Sequence, residues 1–63
     1  MSRLYASSAN MDAVLIFDLN GTTIGSLRPK PPDKLEGPSA LVLANRKLYV
    51  LNMHGNRVSE IDL

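Results

Sequence analysis

The stretch Leu4 to Leu19, LYASSANMDAVLIFDL, returns 44 positions later as Leu48 to Leu63, LYVLNMHGNRVSEIDL, without a gap. Leu4 falls on Leu48, Tyr5 on Tyr49, Val14 on Val58, Asp18 on Asp62 and Leu19 on Leu63. Such a period marks a repeat architecture, in which one unit cannot bury its apolar face alone and must stack on a neighbour.

The repeated phrase sits among short apolar runs cut by turn residues, which is a strand pattern. Arg3 to Ser8 is followed by the polar group Ala9-Asn10-Met11-Asp12. Ala13 to Leu19 is rich in side chains that favour the pleated conformation. Asn20-Gly21 then suits a two-residue type I′ hairpin turn, and Thr22 to Leu27 pairs back. Gly25 inside that last run marks a bulge or an edge.

Three prolines at positions 29, 31 and 32 fix φ and remove backbone donors, so Arg28 to Pro38 is neither helix nor central strand but a stiff connection. Beyond it, Ser39 to Ala44, a tight turn at Asn45-Arg46, Lys47 to Asn52 and Arg57 to Leu63 read as three further strands. Between the last two, Gly55 and Asn56 suit left-handed backbone. No segment carries a helical stripe over ten or more residues, so the fold class is all-β, an antiparallel meander of about six short strands.

The wording GPSALVLANRKLYVLNMHGNRVSEIDL resembles the blades of NHL and YVTN-type β-propeller repeats. The matching residues are Gly37, Pro38, Leu48, Tyr49, Val50, Asn52, Gly55, Asn56, Arg57, Val58, Ile61 and Asp62. The likeness covers Gly37 to Leu63 well and Arg3 to Leu27 more loosely, and Ala44-Asn45-Arg46 replaces the longer Asp-Gly turn usual in such blades. The resemblance implies a single unit made of about one and a half blades. Residues 1–27 form strands B-C-D of one blade, 28–38 the crossing, and 39–63 strands A-B-C of the next. LYVL and VLIF are apolar on both alternating faces, as in sheets covered on two sides. The implied partners are therefore further copies of the chain or the remainder of a propeller. Since 63 is not a multiple of 44, intact blades do not tile simply into a ring.

Composition narrows function by exclusion. The chain has no cysteine and one histidine, which leaves no disulfide and no thiolate metal site. Its net charge of +1 gives no basic field for nucleic acid or membrane, and two tyrosines and one phenylalanine make a poor stacking platform for bases. No apolar run approaches the roughly 20 residues that cross a bilayer, and the first ten residues have no secretory apolar core. A chain without signal peptide or transmembrane segment is expected, with no membrane partner and no cofactor.

In the propeller reading, the D-to-A and B-to-C connections emerge together. They would gather Arg28, Lys30, Asp33, Lys34, Glu36, Asn52, His54, Asn56 and Arg57 into a polar face of mixed charge, the candidate binding face. Plain solvated turns explain the same residues, since no acid, base and nucleophile converge. His54 is the one side chain that ordinarily titrates near neutrality, which would suit a general base, or a ligand where several chains meet at an axis. A turn histidine beside glycine and without partners is, however, more often merely exposed. Pro29-x-x-Pro32 is a weak polyproline match already explained by the crossing. Asn20-Gly21-Thr22 is formally a glycosylation acceptor that the hairpin turn accounts for. Asp18 and Asp62 recur, which points to a structural role at each strand end, such as accepting from turn N–H groups.

The expected function is a non-enzymatic repeat module that binds or scaffolds, with no catalytic, metal-binding or cofactor-binding residues. Two rivals are a hydrolytic or ligand site shared between chains, as in lactonase-like propellers, and nucleic-acid binding, as among NHL-type propellers. Fold alone promotes neither.

Overall fold

Six strands account for the regular structure of residues 2–63 in the computed structural model, and none of those residues is helical. They are β1 (Leu4–Ser8), β2 (Ala13–Phe17), β3 (Thr23–Leu27), β4 (Pro38–Ala44), β5 (Lys47–Asn52) and β6 (Arg57–Asp62). Two three-stranded antiparallel meanders result, ordered β1-β2-β3 and β4-β5-β6. The all-β reading therefore holds, with strand limits displaced by no more than two residues at either end.

Turn chemistry sets those limits. Asn45 and Arg46 take φ of +51° and +62° between the paired residues Ala44 and Lys47, as a two-residue type I′ turn requires. The Asn20-Gly21 turn is longer than its sequence suggests, because only Gly21 adopts positive φ, at +88°. Asp18 N–H donates to the Thr22 carbonyl at 2.9 Å, which closes a three-residue loop of Leu19, Asn20 and Gly21. The Asp18 carboxylate governs that loop: Oδ1 accepts from Asn20 N–H at 2.9 Å and Thr22 N–H at 3.0 Å. Its recurrence was expected to be architectural, and at Asp18 it is. Just beyond the loop the register shifts between Ile16 and Phe17, so that Ile24 is an extra residue beside Gly25 on the edge strand.

The two hairpins that carry the repeated phrase are built identically. Leu4 pairs Phe17, Tyr5 pairs Ile16 and Ser7 pairs Val14 in the first. Leu48 pairs Ile61, Tyr49 pairs Glu60 and Leu51 pairs Val58 in the second, each pair shifted by the same 44 positions. Even the turns agree, with Asp12 at φ +49° and its counterpart Asn56 at +48°.

The sheets pack face to face. Val14 from the first sheet meets Leu48, Val50 and Ile61 from the second, and Tyr5, Leu27 and Leu41 close around them. Where the sheets adjoin, Ser7 Oγ on β1 donates to the Ser39 carbonyl on β4 at 3.2 Å. The connection between the sheets is structureless only in the sense of lacking strands. Its Lys30-Pro31-Pro32-Asp33 turn has a cis Pro31–Pro32 bond and a 3.1 Å bond from Asp33 N–H to the Lys30 carbonyl. From the same connection Leu35, only 5% exposed, plugs the core, a role that the polar wording KLEG conceals.

Each sheet thus has one covered face and one open face. Successive side chains alternate across a strand, so the open face of the second sheet carries Val42, Tyr49, Leu51 and Val58, with Val42 62% and Val58 58% exposed. The open face of the first sheet carries Leu4, Leu15 and Phe17, of which Leu4 is exposed and the other two are half-buried. Apolar character on both alternating faces was expected from the sequence, and one face of each sheet finds its cover within the chain.

If Leu35 is part of the core, Leu35→Ala should destabilise the fold by about 2–5 kcal/mol, as other buried leucine truncations do. Leu19→Ala, at a side chain 66% exposed, should stay within about 0.5 kcal/mol. Urea unfolding followed by circular dichroism separates the two; equal midpoints would remove Leu35 from the core.

Candidate functional site

Most of the polar residues singled out in the sequence do converge, because the connection after β3 lies across the inner end of the second sheet. Alternation along β5 and β6 turns Asn52 and Ser59 inward beside Val50, and both are fully buried. A buried polar side chain needs partners. Asn52 Oδ1 accepts from Glu36 N–H at 2.8 Å, and Asn52 Nδ2 donates to Ser59 Oγ at 2.8 Å. The Ser59 hydroxyl in turn has two acceptors for its one proton, Asp33 Oδ1 at 2.8 Å and the Lys34 carbonyl at 2.9 Å. Among the described residues no buried side-chain nitrogen or oxygen lacks a partner.

Asp33 collects the rest of this network. Its Oδ1 accepts from Lys34 N–H at 2.8 Å and its Oδ2 lies 3.4 Å from Glu60 N–H. Arg57 Nη2 donates to the Lys34 carbonyl at 2.8 Å and stands 3.5 Å from both Asp33 and Glu36 carboxylates. Lys34 Nζ is 3.8 Å from Glu36. Hydrogen bonding from Ser59 is the main cause that holds the Asp33 carboxyl below its ordinary value of 3.8, against a desolvation that pushes the other way. The backbone N–H groups of Lys34 and Glu60 and the charge of Arg57 add to the lowering. The exposed ion pairs contribute little by themselves, about 0–1 kcal/mol each.

Five of the nine predicted face residues, Asp33, Lys34, Glu36, Asn52 and Arg57, therefore belong to one latch that ties the connection to the second sheet. Asn52 is wholly buried and presents nothing to a ligand. His54 and Asn56 are exposed on the β5–β6 turn. The His54 ring covers Gly37, where an added Cβ would overlap the ring at Cδ2. Gly37 also needs its φ of +63°, and its N–H donates to Asp12 Oδ1 at 3.0 Å, fastening the first hairpin's turn to the second sheet. The side chains of Arg28 and Lys30 are not part of the latch, but they line an open cleft of about 270 Å³ together with its Asp33 and with Glu60 and Asp62. Arg28 Nη2 reaches the Met11 carbonyl at 3.4 Å.

Ser59 and Leu35 were not anticipated. Ser59 was legible in principle, since a serine at an inward-facing strand position beside an inward asparagine must find a partner. The arrangement Asn52–Ser59–Asp33 has little to offer chemically. The hydroxyl is buried, its proton is committed, and a carboxylate with lowered pKa is a weak base. Among the described residues no group of three His, Cys, Asp or Glu side chains is placed to hold a metal ion.

A depressed Asp33 pKa contributes stability that is present above the ordinary carboxylate value and lost as pH falls through the folded one. Unfolding free energy should therefore drop as pH is taken below 3.8, and Asp33→Asn should flatten that dependence. Ser59→Ala, which strands the Asn52 amide, should cost about 1–3 kcal/mol at pH 7. Gly37→Ala should cost at least about 1–2 kcal/mol for its left-handed backbone, with His54→Ala recovering only the steric part. Denaturant melts across pH 2–7 check all three, and a pH profile unchanged by Asp33→Asn would remove Asp33 from the latch. No family model, curated protein or solved structure matches this chain.

Proposed function

We propose that the chain is a non-enzymatic β-propeller-repeat module that works by assembling, with further copies or with the remainder of a propeller, into a binding or scaffolding surface. In this reading β1-β2-β3 are strands B-C-D of one blade and β4-β5-β6 are strands A-B-C of the next. The observation that carries it is the pair of open apolar sheet faces, which in a repeat architecture are where the next unit stacks. Support also comes from the equal hairpin registers 44 positions apart, within the roughly 40–45 residues of a four-stranded blade. His54, Asn56, Arg28 and Lys30 remain exposed outside the latch, and they are few and mixed in company, which suits scaffolding better than catalysis.

Sedimentation velocity at micromolar concentration tests the assembly. The expected result is a species of at least two chains with the circular dichroism of a β-protein. A folded monomer that persists up to about 100 μM, well above the micromolar range of specific complexes, would overturn the reading.

A further inference from the structure

The contact between the two sheets is not symmetric, and this has a consequence for how copies meet. Each repeated hairpin has two faces. One carries Tyr5, Ser7 and Val14 in the first hairpin and Tyr49, Leu51 and Val58 in the second. The other carries Leu4, Leu15 and Phe17 in the first and Leu48, Ser59 and Ile61 in the second. Inside the chain the tyrosine face of the first hairpin, through Tyr5 and Val14, packs on the leucine face of the second, through Leu48 and Ile61. Equivalent units therefore stack head to tail. What remains open is the second hairpin's tyrosine face and the first hairpin's leucine face. Those are the two halves of the contact already made once.

We infer that copies of the chain join by repeating this contact: Tyr49, Leu51 and Val58 of one copy stack on Leu4, Leu15 and Phe17 of the next. The inference rests on the assembling role proposed above and adds to it the identity and polarity of the contact. The second copy is the occupant because its open face repeats, at Leu4 and Phe17, the apolar surface that the tyrosine face covers within the chain, with Leu15 in place of the buried Ser59. Leu4 stands where Leu48 stands, and Phe17 where Ile61 stands. On the open tyrosine face Leu51 stands in place of Ser7, and a second difference marks the rim. Glu60 replaces Ile16 on the open tyrosine face, where Lys47 Nζ lies 3.6 Å from Glu60 and 4.0 Å from Asp62. The join is thus apolar toward Val58 and ionic toward Lys47. A heterologous contact of this kind closes into a ring or runs on as a filament, whereas a two-fold contact of like faces stops at a dimer.

Complementary variants decide between these. Leu51→Lys with Val58→Glu places an opposite-charge pair directly across β5 and β6, which keeps the sheet paired while spoiling the tyrosine face. Leu4→Lys with Phe17→Glu does the same to the leucine face across β1 and β2. Each variant alone should be a folded monomer, and an equimolar mixture should give a 1:1 heterodimer and nothing larger, because each partner keeps one intact half. If wild type assembles but one variant still self-associates and mixing yields no heterodimer, the contact joins like faces and the inference fails while the assembling role stands. If wild type itself stays monomeric, the role fails first. Circular dichroism reports folding of each variant. Should a charged pair unfold the chain, Leu4→Ser with Phe17→Thr, or Val58→Thr alone, gives the same readout as a weakened rather than abolished assembly. Wild-type assembly insensitive to either set would equally overturn the inference.

Discussion

Val14 pressed between the two sheets, against Leu48, Val50 and Ile61, is the contact on which the rest of the structure depends. A three-stranded sheet on its own would leave the apolar side chains of its inner face in water, which costs stability in proportion to their area. Stacking one sheet on the other removes both inner faces from solvent together. The connection then has to follow the surface of the stack. Its proline-rich start keeps it out of the strands, and Leu35 returns it to the core.

Polar groups enter that interior only where they are fully partnered. Asn52 and Ser59 sit at inward positions and would cost stability if left unpaired. Their bonds to Glu36 N–H and Asp33 convert the cost into a fixed position for the connection. The arrangement also explains why a cluster that reads in sequence as a candidate binding face is largely turned on itself in space. Its acceptors and donors are consumed by one another, and its hydroxyl is out of reach.

Economy of size has a further effect. With two sheets there are four faces, and only two can be covered within the chain. The other two keep the apolar side chains that the repeat dictates, Leu51 and Val58 on one and Leu4 on the other. In the assembling role proposed above, these exposed faces are where neighbouring units would stack. The internal contact joins unlike faces of the two hairpins, so the faces left open are also unlike.

Local chemistry was readable without the fold. Runs such as AVLIF and KLYVLN, bounded by Asn-Gly, Asn-Arg and Gly-Asn pairs, place six strands because alternation and turn propensity act over a few neighbouring residues. The 44-residue phrase likewise determines that two hairpins share one register. Length of the Asp18 loop escaped, since one side-chain acceptor at Asp18 rather than the Asn-Gly pair decides it. Only the tertiary structure decided that Leu35 is core, that Asn52 and Ser59 hold Asp33, and that the tyrosine face of one hairpin meets the leucine face of the other. Those outcomes depend on which groups from distant parts of the chain arrive at the same place, and no short-range pattern encodes an arrival.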